Sequence, residues 1–140
     1  MLKRFCSLLI LVLLIGTLSG CSNTLQASLS SEFSLSVGQS ARITSEAMDI
    51  KFIDVTEDSR CPRDVQCIWA GRVSCDIEIT KDGSTNTITL TDTAGSGSSE
   101  GITYQNYKII FSVSPYPAKA EEKIAKGDYR LSMTVNKSVK

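Results

Sequence analysis

The sequence contains no histidine in 140 residues, and it has only one tryptophan and three prolines. The absence of histidine excludes Ser-His and Cys-His catalysis, histidine-ligated zinc and a histidine pH switch. Neither charge is in excess, because 15 basic side chains balance 15 acidic ones, so the basic surface that nucleic acids require is missing. We therefore expect one modest domain that is not an enzyme and that has no cofactor, no metal and no nucleic-acid partner.

One long apolar run is present, and it lies at the N-terminus. Lys3 and Arg4 precede it, and it extends from Phe5 to Leu18, which is shorter than the ~20 residues of a transmembrane helix. A basic start, a short apolar run and small residues before a cleavage site are typical of a secretory signal peptide. Its removal would take away two basic residues, so the exported domain would be slightly acidic.

The end of this run, Leu18-Ser19-Gly20-Cys21, resembles the lipobox of bacterial lipoproteins. The resemblance implies that residues 1–20 are a lipoprotein signal peptide and that Cys21 carries a diacylglycerol thioether and usually an N-acyl chain. Two or three acyl chains hold a protein stably in a membrane. Because Ser22 rather than Asp follows Cys21, the resemblance implies the outer membrane in a diderm host and the outer face of the plasma membrane in a monoderm host.

Residues 21–31 are polar and almost uncharged, which predicts a flexible tether. From Glu32 onward apolar and polar residues alternate, as in half-buried strands. About seven short strands separated by turns predict that residues 32–140 form one all-β domain, an antiparallel β-sandwich of immunoglobulin-like type or a small barrel. A change of apolar parity between Phe52 and Ile53 predicts a bulge, and Asp82-Gly83 predicts a hairpin turn.

Two short segments resemble known proteins. Residues 127–131, GDYRL, are similar to the tyrosine-corner segment of immunoglobulin-like sandwiches. Asp58 to Gly71, DSRCPRDVQCIWAG, resembles a motif, DSRCP followed by C-x-W-x-G, of an uncharacterised family of small exported bacterial proteins. This second resemblance covers most of the exported domain. It implies a shared fold and brings no activity with it.

Export would place the remaining cysteines where disulfides form, and three bridges are conceivable among Cys61, Cys67 and Cys75. A bridge between Cys67 and Cys75 requires the chain to reverse at Ala70-Gly71. Cys75 alternates with apolar residues, which predicts a buried thiol. A Cys61–Cys67 bridge closes a short loop and contributes roughly 2–2.5 kcal/mol, and it is the bridge that we favour.

The Asp58–Gly71 segment has a structural and a functional interpretation. In the structural one, Trp69 plugs one end of the sandwich, and Asp58 pairs with Arg60 to fix the loop. In the functional one, the loop binds an envelope protein or a glycan through an aromatic group with a mixed-charge rim. The candidate binding residues are Asp58, Arg60, Arg63, Trp69 and Arg72.

These observations favour a lipid-anchored, non-catalytic binding module of the cell envelope. One alternative is a structural or assembly factor of the envelope, and another is a small hydrolase that uses a pair of carboxylates. The literal G-x-S-x-G match at residues 97–101 does not support a hydrolase, because a nucleophile elbow requires a strand-to-helix turn and a histidine base.

Overall fold

The computed structural model describes residues 23–93 and 101–138, which form nine strands and no α-helix. The strands are β1 (Thr24–Ala27), β2 (Glu32–Ser36), β3 (Ser40–Ile43), β4 (Met48–Asp58), β5 (Val73–Lys81), β6 (Ser84–Asp92), β7 (Ile102–Tyr104), β8 (Tyr107–Ser114) and β9 (Arg130–Lys137). They lie in two separate sheets, ordered β1-β3-β4-β5-β6 and β2-β9-β8-β7. The prediction of an all-β sandwich is therefore confirmed.

The core lies between the two sheets and is built from the alternating apolar residues of both. Leu35, Ile50, Ile77, Ile109 and Leu131 are among its fully buried side chains. In β8 and β9 every second residue is buried, as a sheet with one face toward a core requires. The predicted alternation therefore places the correct residues inside the sandwich.

Two local predictions are also confirmed. The register between β4 and β5 shifts between Phe52 and Asp54, so a bulge lies at the predicted position. Asp82 and Gly83 have φ angles of 50° and 77° in the turn between β5 and β6. Both are positive, as a two-residue hairpin turn of this kind requires.

The prediction of a flexible tether over residues 21–31 is wrong for most of that range. Residues 24–27 form β1, and Leu25, Ala27 and Leu29 pack against the core. An edge strand needs apolar groups only at alternate positions, since its other face is solvated and backbone hydrogen bonds hold it. The polar composition of the segment therefore concealed a period-two pattern.

β1 pairs with β3 in parallel, whereas every other neighbouring pair is antiparallel. Thr24 lies opposite Ser40, and Ser40 lies opposite Lys51 of β4. Because β1 runs opposite to β4, the N-terminal end of β1 at Thr24 points toward the end of the sheet where β4 finishes at Asp58.

The predicted signal peptide at residues 1–20, the predicted lipidation residue Cys21 and most of the G-x-S-x-G match lie outside the described residues. Within residues 23–93 and 101–138, no helix has the length and apolar character needed to cross a membrane.

Candidate functional site: the clipped loop

The connection between β4 and β5, residues 59–72, is closed by a disulfide, and we refer to it as the clipped loop. Cys61 and Cys67 are bonded with their Cα atoms 5.9 Å apart, which confirms the predicted bridge. Cys75 is buried, also as predicted, and it is a free cysteine. Burial, and to a lesser extent the charge of Asp76, raises the pKa of Cys75 to about 12, so the thiolate that reacts is not formed at neutral pH.

The base of the clipped loop continues the β4–β5 hairpin beyond the ends of the strands. Ser59 donates its N–H to the carbonyl of Arg72 at 2.8 Å, and Cys61 donates its N–H to the carbonyl of Ala70 at 3.2 Å. The two sides of the loop thus remain paired up to the disulfide. The loop is consequently an ordered extension of the sheet rather than an independent segment.

Gly71 makes this close pairing possible. Its φ angle is +72°, and a Cβ atom at this position would lie 1.9 Å from the carbonyl oxygen of Ser59. No side chain fits at that distance, and the positive φ is itself unfavourable for residues other than glycine. The glycine that ends the C-x-W-x-G motif is therefore required by the backbone.

A buried ion pair fixes the clipped loop to the second sheet. The Nε and Nη2 groups of Arg60 donate to the two carboxylate oxygens of Asp58 at 2.8 and 2.6 Å. The same guanidinium donates to the carbonyls of Val113 and Pro115 at 2.7 and 2.9 Å. The side chains of Arg60 and Asp58 are only 2% and 8% exposed. We call this pair the buried base, and its charges are satisfied within the protein.

Tyr129, which precedes β9, completes the buried base. Its hydroxyl donates to an Asp58 carboxylate oxygen at 3.0 Å, whereas a tyrosine corner bonds to backbone a few residues upstream. Burial and the negative charge of Asp58 raise the pKa of Tyr129 to about 12. The loop, β4 and the start of β9 therefore share one carboxylate.

Aromatic and polar contacts hold the first half of the loop against the segment that follows β8. The guanidinium carbons of Arg60 and Arg63 lie 5.0 and 5.4 Å from the ring centroid of Tyr116, within cation–π range. Asp64 accepts a hydrogen bond from the N–H of Ala120 at 3.0 Å. Arg63 is thus positioned by an aromatic ring while it remains at the surface.

The second half of the loop exposes large apolar side chains to solvent. Val65 is 44% exposed, Ile68 90% and Trp69 80%, and we call these three residues the apolar tip. Among the described residues, Ile110, at 38%, is the only other large apolar residue that is strongly exposed. The interpretation of Trp69 as a plug of the sandwich is therefore wrong. Arg60 and Tyr129 are buried at that end of the core, whereas Trp69 lies in the exposed second half of the loop.

A shallow groove of about 600 Å³ lies beside the apolar tip. One wall carries Arg72, whose Nε donates to Glu57 Oε2 at 2.8 Å in an exposed ion pair. The groove is lined by Glu57, Ser59, Cys67, Trp69, Ala70 and Arg72, among others. It is an open surface next to an aromatic ring and not an enclosed cavity.

The structure divides the five candidate binding residues into two groups. Asp58 and Arg60 are turned inward and hold the loop, so they are not available to a partner. Arg63, Trp69 and Arg72 face solvent, and Trp69 and Arg72 line the groove. The sequence interpretation omitted Val65 and Ile68, although two adjacent large apolar residues, Ile68 and Trp69, outside any predicted strand were a usable signal.

Comparison of the chain with protein-family models finds no match, and comparison with curated proteins and with solved structures finds no significant one. Among the described residues, no group of three or more acidic, cysteine or histidine side chains is placed to hold a metal ion.

Proposed function

We propose that this protein is a lipid-anchored, non-catalytic binding module of the cell envelope and that the clipped loop is its contact surface. The apolar tip is the observation that carries the proposal. Ile68 and Trp69 are almost fully exposed, and clustered exposed apolar side chains mark interaction sites on soluble domains. The sequence predicted an envelope protein or a glycan as the partner, and Trp and Arg at the rim suit either.

The rigidity of the loop supports this proposal. The disulfide, the buried base and the close approach at Gly71 all restrict the backbone, whereas the apolar tip is exposed. A surface that is already ordered loses less conformational entropy when it binds. Binding through the tip therefore requires little further loss of conformational entropy from the loop.

The lipid anchor is the second part of the proposal, and it rests on the lipobox resemblance. Acylation of Cys21 would place the domain on the outer membrane of a diderm host or on the outer face of a monoderm plasma membrane. Mass spectrometry of protein extracted from membranes should show a mature N-terminus at an acylated Cys21. Cys21→Ser should lack the acyl mass and, once residues 1–20 are removed, move to the soluble fraction; membrane retention of a Cys21→Ser chain that has lost residues 1–20 would refute the anchor.

The contact surface is tested by crosslinking the acylated protein in its native envelope. Ile68→Asp should reduce the crosslinked products strongly, because it places a charge at the centre of the contact. Ser84→Asp is the matched control, since it adds the same charge at an exposed position beside Lys81 on a different part of the molecule. Equal products from both variants would refute the loop as the contact surface.

A further inference from the structure

We propose that the apolar tip docks on the phospholipid surface of the membrane that holds the acyl chains of Cys21. This inference rests on the proposed function, because it requires the lipid anchor, and it assigns the loop a phospholipid surface in place of an envelope protein or a glycan. It follows from where the chain enters the fold, how short the connection to the anchor is, and which side chains the loop presents.

The connection between the anchor and the sandwich is short. Only Ser22 and Asn23 separate Cys21 from Thr24, the first residue of β1. Three residue steps span at most about 10 Å. A domain on so short a connection stays at the bilayer surface, unlike the free-ranging domain that a tether over residues 21–31 would allow.

The parallel pairing of β1 directs this connection toward the clipped loop. Thr24 lies opposite Ser40 of β3, and Ser40 lies opposite Lys51 of β4, so Thr24 and Lys51 are at the same position along the strand direction. β4 continues from Lys51 to Asp58, opposite five residue steps of β5 from Glu78 to Val73, which is about 17 Å at ~3.3 Å per residue, and the clipped loop projects beyond Asp58. The loop therefore extends farther along the strand direction than Cys21 can reach. With this end toward the membrane, the domain tilts until the apolar tip meets the bilayer.

The side chains of the loop suit a membrane–water interface. Trp is enriched at that interface because its ring is apolar and its N–H is polar, and Ile68 adds a fully aliphatic group. Arg63 and Arg72 flank the tip in the sequence. Arg72 is paired with Glu57, so the guanidinium charge that attracts anionic headgroups is that of Arg63. The carboxylate of Asp64 is drawn toward the backbone of Ala120 by a hydrogen bond. A pair of acyl chains with an additional apolar contact is also a stronger attachment than either alone.

The single tryptophan provides a direct test, because its fluorescence reports only on the tip. The acylated protein is reconstituted in phosphatidylethanolamine–phosphatidylglycerol vesicles, with and without lipids brominated on their acyl chains. We expect the Trp69 emission to shift to shorter wavelength in vesicles and to be quenched by the brominated lipids. Emission at the wavelength of a hydrated indole, unchanged by the brominated lipids, would overturn the proposal.

Matched variants separate docking from simple proximity to the bilayer. Ile68 is 90% exposed, so Ile68→Asp does not disturb the core. The charge at the tip should abolish the quenching of Trp69, while the acyl chains keep the protein on the vesicles. Ser84→Asp should be quenched as the parent protein is. Equal quenching of Ile68→Asp and the parent would overturn docking through the tip.

The failure of this inference is distinguishable from the failure of the proposed function. The mass of the reconstituted protein shows whether Cys21 is acylated, and flotation shows whether the protein is vesicle-bound. An acylated, vesicle-bound protein with a hydrated Trp69 refutes the docking and leaves the anchor intact. Protection of Trp69 that appears only after envelope proteins are added likewise overturns the inference, in favour of a protein partner.

Discussion

The buried base and the apolar tip lie within eleven residues of each other in the chain, yet they treat polarity in opposite ways. Asp58 and Arg60 are charged and almost completely buried, whereas Ile68 and Trp69 are apolar and almost completely exposed. In most folds charged side chains are exposed and large apolar side chains are buried. The two charged side chains satisfy each other inside the protein, whereas the two apolar ones are left in solvent.

Of the substitutions that test this comparison, Arg60→Ala should have the largest effect on the free energy of unfolding. It leaves the Asp58 carboxylate buried without its Arg60 partner and removes two hydrogen bonds, to the backbone carbonyls of Val113 in β8 and of Pro115 just after it. We expect a loss of about 3–5 kcal/mol in the free energy of unfolding, measured by urea denaturation. Asp58→Asn with Arg60→Met, which removes both charges, should be less harmful than Arg60→Ala alone. A loss below about 1 kcal/mol for Arg60→Ala would show that the pair stabilises the fold no more than an exposed ion pair does.

Gly71→Ala should cause the second-largest loss of stability. The backbone strain of a positive φ contributes about 1–3 kcal/mol, and the new methyl group also displaces the Ser59 carbonyl. The expected result is a lower unfolding midpoint with faster amide exchange at Ser59 and Cys61. Gly83→Ala is the control, because its φ is also positive but nothing lies within 4 Å of its Cβ position. Equal losses from the two variants would assign the whole effect to φ.

The shared carboxylate predicts an alkaline transition. The pKa of Tyr129 is raised from 10.0 to about 12 by burial and by Asp58. A raised pKa means that its contribution to stability is fully present below about pH 10 and is lost between about pH 10 and 12, at about 1.4 kcal/mol per unit. Tyr129→Phe should flatten that part of the curve in pH-dependent denaturation. An unchanged slope would place the alkaline loss elsewhere, for instance at Cys75.

Substitutions in the apolar tip should have the smallest effect on stability. Trp69→Ala and Ile68→Asp change side chains that are at least 80% exposed, so the free energy of unfolding should change by no more than about 0.5 kcal/mol. Thermal denaturation of both variants beside Arg60→Ala provides the measurement. A large loss from Trp69→Ala would revive its interpretation as a structural residue and remove the contrast between base and tip.

The alternating residues predicted the sandwich because periodicity is a local signal. The face of Ile77 and Ile79, the bulge after Phe52 and the turn at Asp82-Gly83 each depend on a few neighbouring residues. β1 was missed since its pattern is short, and its pairing with β3 joins residues 16 positions apart in the chain.

The site was only partly predictable for the same physical reason. The Asp58–Arg60 pair spans two residues and was expected, but its acceptors on Val113 and Pro115 lie more than 50 residues away. The exposure of Trp69 depends on what already fills the end of the sandwich. An aromatic residue that closes a core and one that contacts a partner have the same appearance in a loop sequence.

The buried thiol of Cys75 has a consequence for how this chain matures. In an oxidising compartment an unfolded chain with an odd number of thiols is prone to incorrect pairing and to disulfide exchange, in which a thiolate attacks an existing bridge. Packing of β5 removes Cys75 from that competition, because its side chain is fully buried and its pKa is about 12. In the folded domain the Cys75 thiol is therefore shielded from the Cys61–Cys67 bridge, and the hydrophobic interior keeps the thiol and the disulfide apart.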